Sequence, residues 1–282
     1  MAIKQARVKL FDGCALNYLE AGRGEPLVFI PGWSQTAEQY RAQLDDLSNR
    51  FHVFAFDLRG HGDSDKPTTG YRMHRLARDV RETLARLDLD SVTLAGHSMG
   101  SSVIWCYHDL FGPERLKRVI FVDQGACNVY HPSWSEAERL EAGAVFTAQS
   151  LHDTAIALAG PEGVRTTENF VRTAFFTKAY PAERLAWVIA ENLKMPRMAA
   201  AKLILNHCMQ DWRDVIPTIR LPTLVVGGAA SLFDPKSQTW IADQIPGARA
   251  EIFAADEGGS HFMFLENPTR FNALVRAFMT EC

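Results

Sequence analysis

Short apolar runs and amphipathic stretches take turns along this chain. Residues 3–10 and 14–21 alternate apolar and polar positions around Phe11-Asp12-Gly13, and the Asp-Gly pair predicts a hairpin there. Leu27-Val28-Phe29-Ile30, Val53-Phe54-Ala55-Phe56, Val92-Thr93-Leu94-Ala95 and Val119-Ile120-Phe121-Val122 are continuous apolar runs of strand length. Pro31-Gly32, Asp57, Gly96 and Asp123 close them. Helical patterns fill the gaps: residues 36–49, then Leu76 to Leu87 with Arg, Asp and Glu between its apolar positions, then Ser101 to Tyr107, which continues without a breaker and reads as a buried helix. Buried strands separated by helices predict an α/β fold, a mostly parallel sheet covered on both faces.

The pattern changes at residue 128. From there to 213 strand-like runs vanish, and Ala, Leu, Trp and Glu recur at helical spacing, interrupted by Pro132, Pro161, Pro181 and Pro196. Strands resume at residues 222–227 and 250–253, and a last helix runs from Pro268 to Met279 with Phe271, Leu274, Val275 and Phe278 on its apolar face. The expected organisation is one core built from residues 1–127 and 214–282, with 128–213 inserted as a helical cap. Phe146, Phe170, Phe175, Phe176, Trp187 and Met195 of the insertion are candidates for a hydrophobic pocket or for the insertion's own core.

Gly96-His97-Ser98-Met99-Gly100 sits where the 92–96 strand gives way to a helix. A G-x-S-x-G in that setting predicts a nucleophile elbow, a turn tight enough to strain the serine and to admit only glycine on either side. The Ser98 hydroxyl would stand above the sheet at the positive end of the following helix. A serine hydroxyl is a weak nucleophile and needs a base within reach. It also needs amides aimed at the developing oxyanion, one of which comes from the residue after the nucleophile, Met99.

Taken in order, the hairpin, Pro31-Gly32-Trp33, Arg59-Gly60-His61-Gly62-Asp63-Ser64, the elbow and Gly259-Ser260-His261 resemble the α/β-hydrolase superfamily, within it the small cofactor-free esterases and perhydrolases of the arylesterase or non-haem haloperoxidase kind. The resemblance implies an α/β-hydrolase fold, His261 as the base, and Trp33 as the second oxyanion donor. The acid departs from the pattern. Most relatives carry G-x-x-D after the strand ending at Gly228, and here that register ends in Ser231. Two carboxylates can replace it: Asp123 at the end of the preceding strand, as in haloalkane dehalogenases, or Asp234. Asp234-Pro235 also reads as an N-cap with proline in the first turn, so Asp123 is the favoured acid. His97 is expected to point away from Ser98. His52, His74, His108, His131, His152 and His207 read as surface or core residues.

Composition narrows the classes. Of 282 residues, 47% are hydrophobic, enough for a large core, and the net charge is −3 with no run of one sign. That argues against nucleic acid and against an anionic membrane surface as partners. Cys14, Cys106, Cys127, Cys208 and Cys282 are scattered and odd in number, and are expected to be free thiols in a reducing compartment. Met1 to Leu10 has no signal-peptide organisation, so a cytoplasmic location is expected. No metal-ligand spacing and no G-x-G-x-x-G appears, so neither metal nor other cofactor is expected.

The expected activity is a serine-dependent carboxylic ester hydrolase acting on a small hydrophobic ester or lactone through an acyl-enzyme on Ser98, His261 and Asp123. Perhydrolase or haloperoxidase-type chemistry, C–C bond hydrolysis, cofactor-free oxygenation and a non-catalytic ligand receptor stand as alternatives on the same scaffold.

Overall fold

Eight strands form one sheet in the computed structural model, which describes residues 2–281. They are β1 (Lys4–Lys9), β2 (Ala15–Gly22), β3 (Pro26–Ile30), β4 (His52–Phe56), β5 (Val92–His97), β6 (Leu116–Val122), β7 (Thr223–Gly228) and β8 (Arg249–Phe253). The spatial order is β1-β2-β4-β3-β5-β6-β7-β8. The hairpin β1–β2 and the β2–β4 pair are antiparallel, and every later pair is parallel.

Strand periodicity sorts the apolar residues into two cores. Val28, Ile30, Leu94, Val119, Phe121 and Val225 face one side. Leu27, Phe29, Ala95, Ile120, Val122, Leu224 and Val226 face the other. Successive side chains of a strand point to opposite faces, so continuous apolar runs are what a sheet covered twice requires. Helices α1 (Arg41–Leu47) and, at the C-terminus, Pro268–Thr280 cover the second face through Leu44, Leu47, Phe271, Val275 and Phe278. Helices α2 (Met73–Arg86) and α3 (Met99–Phe111) cover the first through Leu76, Val80, Leu84 and Val103.

Between β6 and β7 lie α4 (Glu136–Ala142), α5 (Ala148–Ala159), α6 (Gly163–Ala174), α7 (Ala182–Asn192) and α8 (Arg197–Cys208). The chain leaves and returns side by side: Cys127 bridges to Asp211, and the Trp212 amide donates to the Ala126 carbonyl at 2.9 Å. Leu151, Leu158, Ala200, Leu203 and Ile204 of these helices share one core with Trp33 and Met99. After β7 come α9 (Pro235–Gln244), the short α10 (Met263–Glu266) and the C-terminal helix, α11.

One predicted helix is shorter than its pattern. Residues 36–49 form a 3₁₀ turn over Ala37–Tyr40 before α1 begins. The turn is pinned from outside, because the Ala37 amide donates to Asp57 at 2.7 Å and the Thr36 hydroxyl to Glu191 at 2.7 Å. Cys14, Cys106, Cys127 and Cys208 are buried free thiols, whereas Cys282 lies outside the described residues. No helix among the described residues is long and apolar enough to cross a membrane.

Candidate active site

Ser98 follows the last residue of β5 and precedes the first of α3, with φ 51° and ψ −125°. A positive φ is sterically costly for a residue with a Cβ. The surroundings enforce it. The Ser98 amide donates to the Val122 carbonyl at 2.7 Å, and the Ser101 hydroxyl donates to the Gly96 carbonyl at 2.6 Å. The two flanking glycines are needed for contact: a Cβ on Gly96 would strike the Gly100 backbone, and one on Gly100 would strike the Ile30 carbonyl. Helix α3 can therefore cross directly over β3 and β5, bringing Ser98 to the edge of a cavity that His261 also lines.

His261 lies in the loop after β8 and donates from Nδ1 to Asp123 Oδ2 at 2.6 Å, both residues buried. That bond leaves Nε2 as the free basic nitrogen. Asp123 itself has φ 53° and is fixed by its amide, which donates to the Val226 carbonyl at 2.8 Å. The Gly228 amide donates to Asp123 Oδ1 at 3.2 Å, and the Ser231 hydroxyl donates to Oδ2. Three donors thus converge on one carboxylate. Burial drives the Asp123 carboxyl above its ordinary value, opposed by the Ser231 and Gly228 donors. Burial likewise drives the His261 imidazole below its own, so it rests neutral. Asp234 is elsewhere: it caps α9, its Oδ1 accepting from the Lys236 amide at 2.9 Å. Ser231, which occupies the register where a carboxylate was expected, supports Asp123 instead.

The turn after β3 packs against the serine. A Cβ on Gly32 would lie 3.0 Å from Ser98 Cβ, so only glycine lets this backbone approach so closely. The next amide, that of Trp33, belongs to this turn, and Met99 supplies the first amide of α3, which has no intrahelical acceptor. The Trp33 ring is buried, donates from Nε1 to the Ala200 carbonyl of α8 at 2.8 Å and meets Phe170 edge-on.

Sequence reasoning missed what holds this turn. Gln35 Oε1 accepts from the Gly32 amide at 2.8 Å, while Gln35 Nε2 donates to His97 Nδ1 at 2.8 Å. His97 Nε2 then donates to the His261 carbonyl at 2.6 Å. His97 does turn away from Ser98, and it connects the His261 loop to the Gly32 turn. Nothing local signals it, since Gln35 and His97 are 62 residues apart.

The cavity measures about 220 Å³. Trp33, Val145, Phe146, Phe170, Phe175, Ile204, Leu232 and Phe233 make most of its wall. Of the aromatic candidates in the helical segment, Phe146, Phe170 and Phe175 line it, whereas Phe176 stacks on Tyr180 and Phe262, Trp187 is exposed and Met195 is buried in the shared core. Gln124, Asn128 and His207 also line it. His207 reads in sequence as a surface or core residue, because its partner Asn128 lies at the other end of the helical segment, 79 residues away. Among the described residues no three His, Cys, Asp or Glu side chains gather to hold a metal ion.

Known proteins share this architecture. The family model for the alpha/beta hydrolase fold matches residues 25–268. A bromoperoxidase from Bacillus anthracis superimposes with a TM-score of 0.89 over 99% of this chain and 100% of its own, at 19% identity. An esterase from Exiguobacterium antarcticum gives 0.87 over 98% and 99%, at 22% identity. The enol-lactonase from Burkholderia xenovorans gives 0.83 over 98% and 100%, at 23% identity. At these identities the likeness is one of fold.

Proposed function

The chain belongs to the α/β-hydrolase family, and from that premise we propose that it is a serine-dependent hydrolase of small hydrophobic carboxylic esters or lactones, with Ser98, His261 and Asp123 as its triad. The observation that carries this reading is the 2.6 Å bond from His261 to Asp123, made beside a cavity that Ser98 shares. Such a bond fixes the tautomer, leaves Nε2 to accept the serine proton and stabilises the imidazolium that results.

Ser98 Oγ attacks the acyl carbonyl as His261 Nε2 removes its proton. The amides of Trp33 and Met99 stabilise the oxyanion, a role in which losing one donor costs about a hundred- to a thousandfold in rate. Collapse expels the alcohol, which takes the proton from His261, and an acyl group remains on Ser98. Water, deprotonated by His261, attacks the acyl-enzyme and releases the acid. In a lactone the expelled alcohol stays attached to the acyl group and leaves with it as a hydroxy acid. Residues 128–213 act as a cap whose aromatic side chains define the acyl pocket. With no charged side chain on the cavity wall, the substrate is a neutral molecule.

Hydrolysis of short-chain p-nitrophenyl esters by the wild type and by Ser98→Ala tests this. The wild type should turn over and the variant should not. Activity that survives Ser98→Ala would remove Ser98 as the nucleophile. Saturable ligand binding with no turnover across esters and lactones would make the chain a receptor.

A further inference from the structure

Arg197, the first residue of α8, carries a positive charge with no counter-ion. Its side chain is partly buried, and among the described residues no carboxylate forms an ion pair with it. Glu191, the acid nearest in sequence, is taken up by Lys194 at 2.9 Å and by the Thr36 hydroxyl at 2.7 Å. Burial drives the Arg197 pKa down to about 10, so it is a cation at neutral pH. A desolvated cation without an acid costs stability. What it gains is a set of hydrogen bonds that no neutral side chain has the donors to make.

Those bonds tie the turn that carries Trp33 to the helical segment. Nη1 donates to Thr167 Oγ1 of α6 at 2.7 Å, and Nε donates to the Met195 carbonyl at 3.0 Å. Nη2 donates to the Asn192 carbonyl, at the end of α7, at 2.8 Å and to Ser34 Oγ at 2.9 Å. A guanidinium only donates, so Ser34 Oγ accepts from it and sends its own proton to the Asn192 carbonyl, 2.6 Å away. Ser34 is fully buried and has φ 63°. It is the third residue of a turn closed by the Gln35 amide, which donates to the Gly32 carbonyl at 3.3 Å. A positive φ at that place usually falls to glycine, and a residue with a Cβ keeps it only under outside constraint. Arg197 and the Asn192 carbonyl supply that constraint, on the residue directly after Trp33.

We propose that Arg197 is a positioning residue for catalysis: acting through Ser34, it holds the strained turn that aims the Trp33 amide at the oxyanion, and it fixes that turn to α6 and α7. This rests on the serine-hydrolase reading above, in which Trp33 is an oxyanion donor. Relaxation of Ser34 to a negative φ would reset the turn and misdirect the amide. The loss would fall on kcat, because the oxyanion develops only as the transition state forms, while substrate binding keeps its other contacts.

The test is steady-state hydrolysis of p-nitrophenyl acetate by variants of the full chain, with folding checked by circular dichroism. Arg197→Met should lower kcat about tenfold with KM within about twofold, a smaller loss than removal of an oxyanion donor. Adding Ser34→Gly to Arg197→Met should raise kcat again by about fivefold, since glycine holds a positive φ without a tether. A cation that served only to fasten helices would give no such rescue. Ser34→Ala keeps Arg197 and its three other acceptors, and tests the same contact from the other end whether or not Arg197→Met folds. Its kcat should fall about tenfold below wild type and about fivefold below that of Ser34→Gly. A kcat within about twofold of wild type in Arg197→Met or in Ser34→Ala, or a loss that Ser34→Gly does not relieve, would overturn the proposal. So would a raised KM at unchanged kcat. No turnover by the wild type, or turnover that survives Ser98→Ala, would sink the hydrolase reading and this assignment with it. Ser98-dependent turnover that is indifferent to Arg197 and Ser34 would sink this assignment alone.

Discussion

Asp123 and Ser98 both hold backbone angles with φ near 50° that side chains other than glycine's rarely adopt. Strain of this kind costs about 1–3 kcal/mol per residue and persists only where the surroundings over-determine it. Here the surroundings are the ends of two adjacent strands: Val122 of β6 receives the Ser98 amide and Val226 of β7 receives that of Asp123. The acid is where the residue scale makes its sharpest prediction. Asp123→Asn should keep the fold and lower kcat by about 10³–10⁴, as expected when a base loses the carboxylate that sets its tautomer. Asp234→Ala should leave kcat within about twofold while costing about 1 kcal/mol of stability as a lost N-cap. A large kcat loss in Asp234→Ala and none in Asp123→Asn would reverse the assignment. The nucleophile and base candidates could be found in the sequence because each belongs to a local motif, the elbow around Ser98 and the Gly259-Ser260-His261 loop. The acid could not be fixed from sequence alone, since the choice between Asp123 and Asp234 depends on where β6 ends relative to the loop after β8. Ser231 marked the departure, but its bond to Asp123 is a tertiary fact.

Among the elements, the segment from Gly32 to Gln39 is the one most tied from outside. Trp33 bonds to Ala200, Ser34 donates to the Asn192 carbonyl at 2.6 Å and Gln39 donates to Asn192 Oδ1 at 3.0 Å, so α7 and α8 fasten the turn on one side. Gln35 fastens it on the other, through His97 and the His261 carbonyl. Gln35 is a positioning residue in this account. Gln35→Leu should lower kcat by about ten- to a hundredfold with KM little changed, less than the full loss of an oxyanion donor, because the amides remain but their aim relaxes. Steady-state kinetics on one ester would check this, and a kcat within twofold of wild type would contradict it. Strands and the main helices were readable because period-2 and period-3.6 patterns are local. The 3₁₀ turn before α1 was not, because Asp57 and Glu191 pull residues 36–37 out of the helical course that their sequence would follow.

Across the whole molecule, burial of neutral histidines couples stability to pH. The His61 imidazole is driven down to about 4 and His207 to about 3, and His97 also lies well below its ordinary value, in each case chiefly by burial. These groups protonate near pH 6.5 once unfolded but stay neutral in the fold, so the unfolded chain binds more protons. Their contribution to stability is complete above about pH 6.5 and is lost as pH falls from there toward the folded values. His61 donates from Nδ1 to the Arg59 carbonyl at 2.9 Å and leaves Nε2 unpartnered, so an aromatic replacement preserves most of its packing. Urea unfolding between pH 7 and 5 should show a shallower pH dependence in His61→Phe than in the wild type, by about 1.4 kcal/mol per pH unit below 6.5. Identical slopes would refute the burial of a neutral His61. The polar residues of the cavity wall, Gln124, Asn128 and His207, come together only in the fold and leave no local trace in the sequence. Gln124 and Asn128 follow β6, His207 ends α8, and only the return of the chain past Ala126 brings them together. The central claim is a covalent acyl transfer through Ser98, and its most direct test is to treat the wild type with diethyl p-nitrophenyl phosphate and map the adduct by mass spectrometry. Release of one p-nitrophenol per chain, loss of ester hydrolysis in step with labelling, and a single phosphorylated site at Ser98 are the predicted result. An unlabelled Ser98, or hydrolysis that continues after Ser98 is fully labelled, would contradict the account.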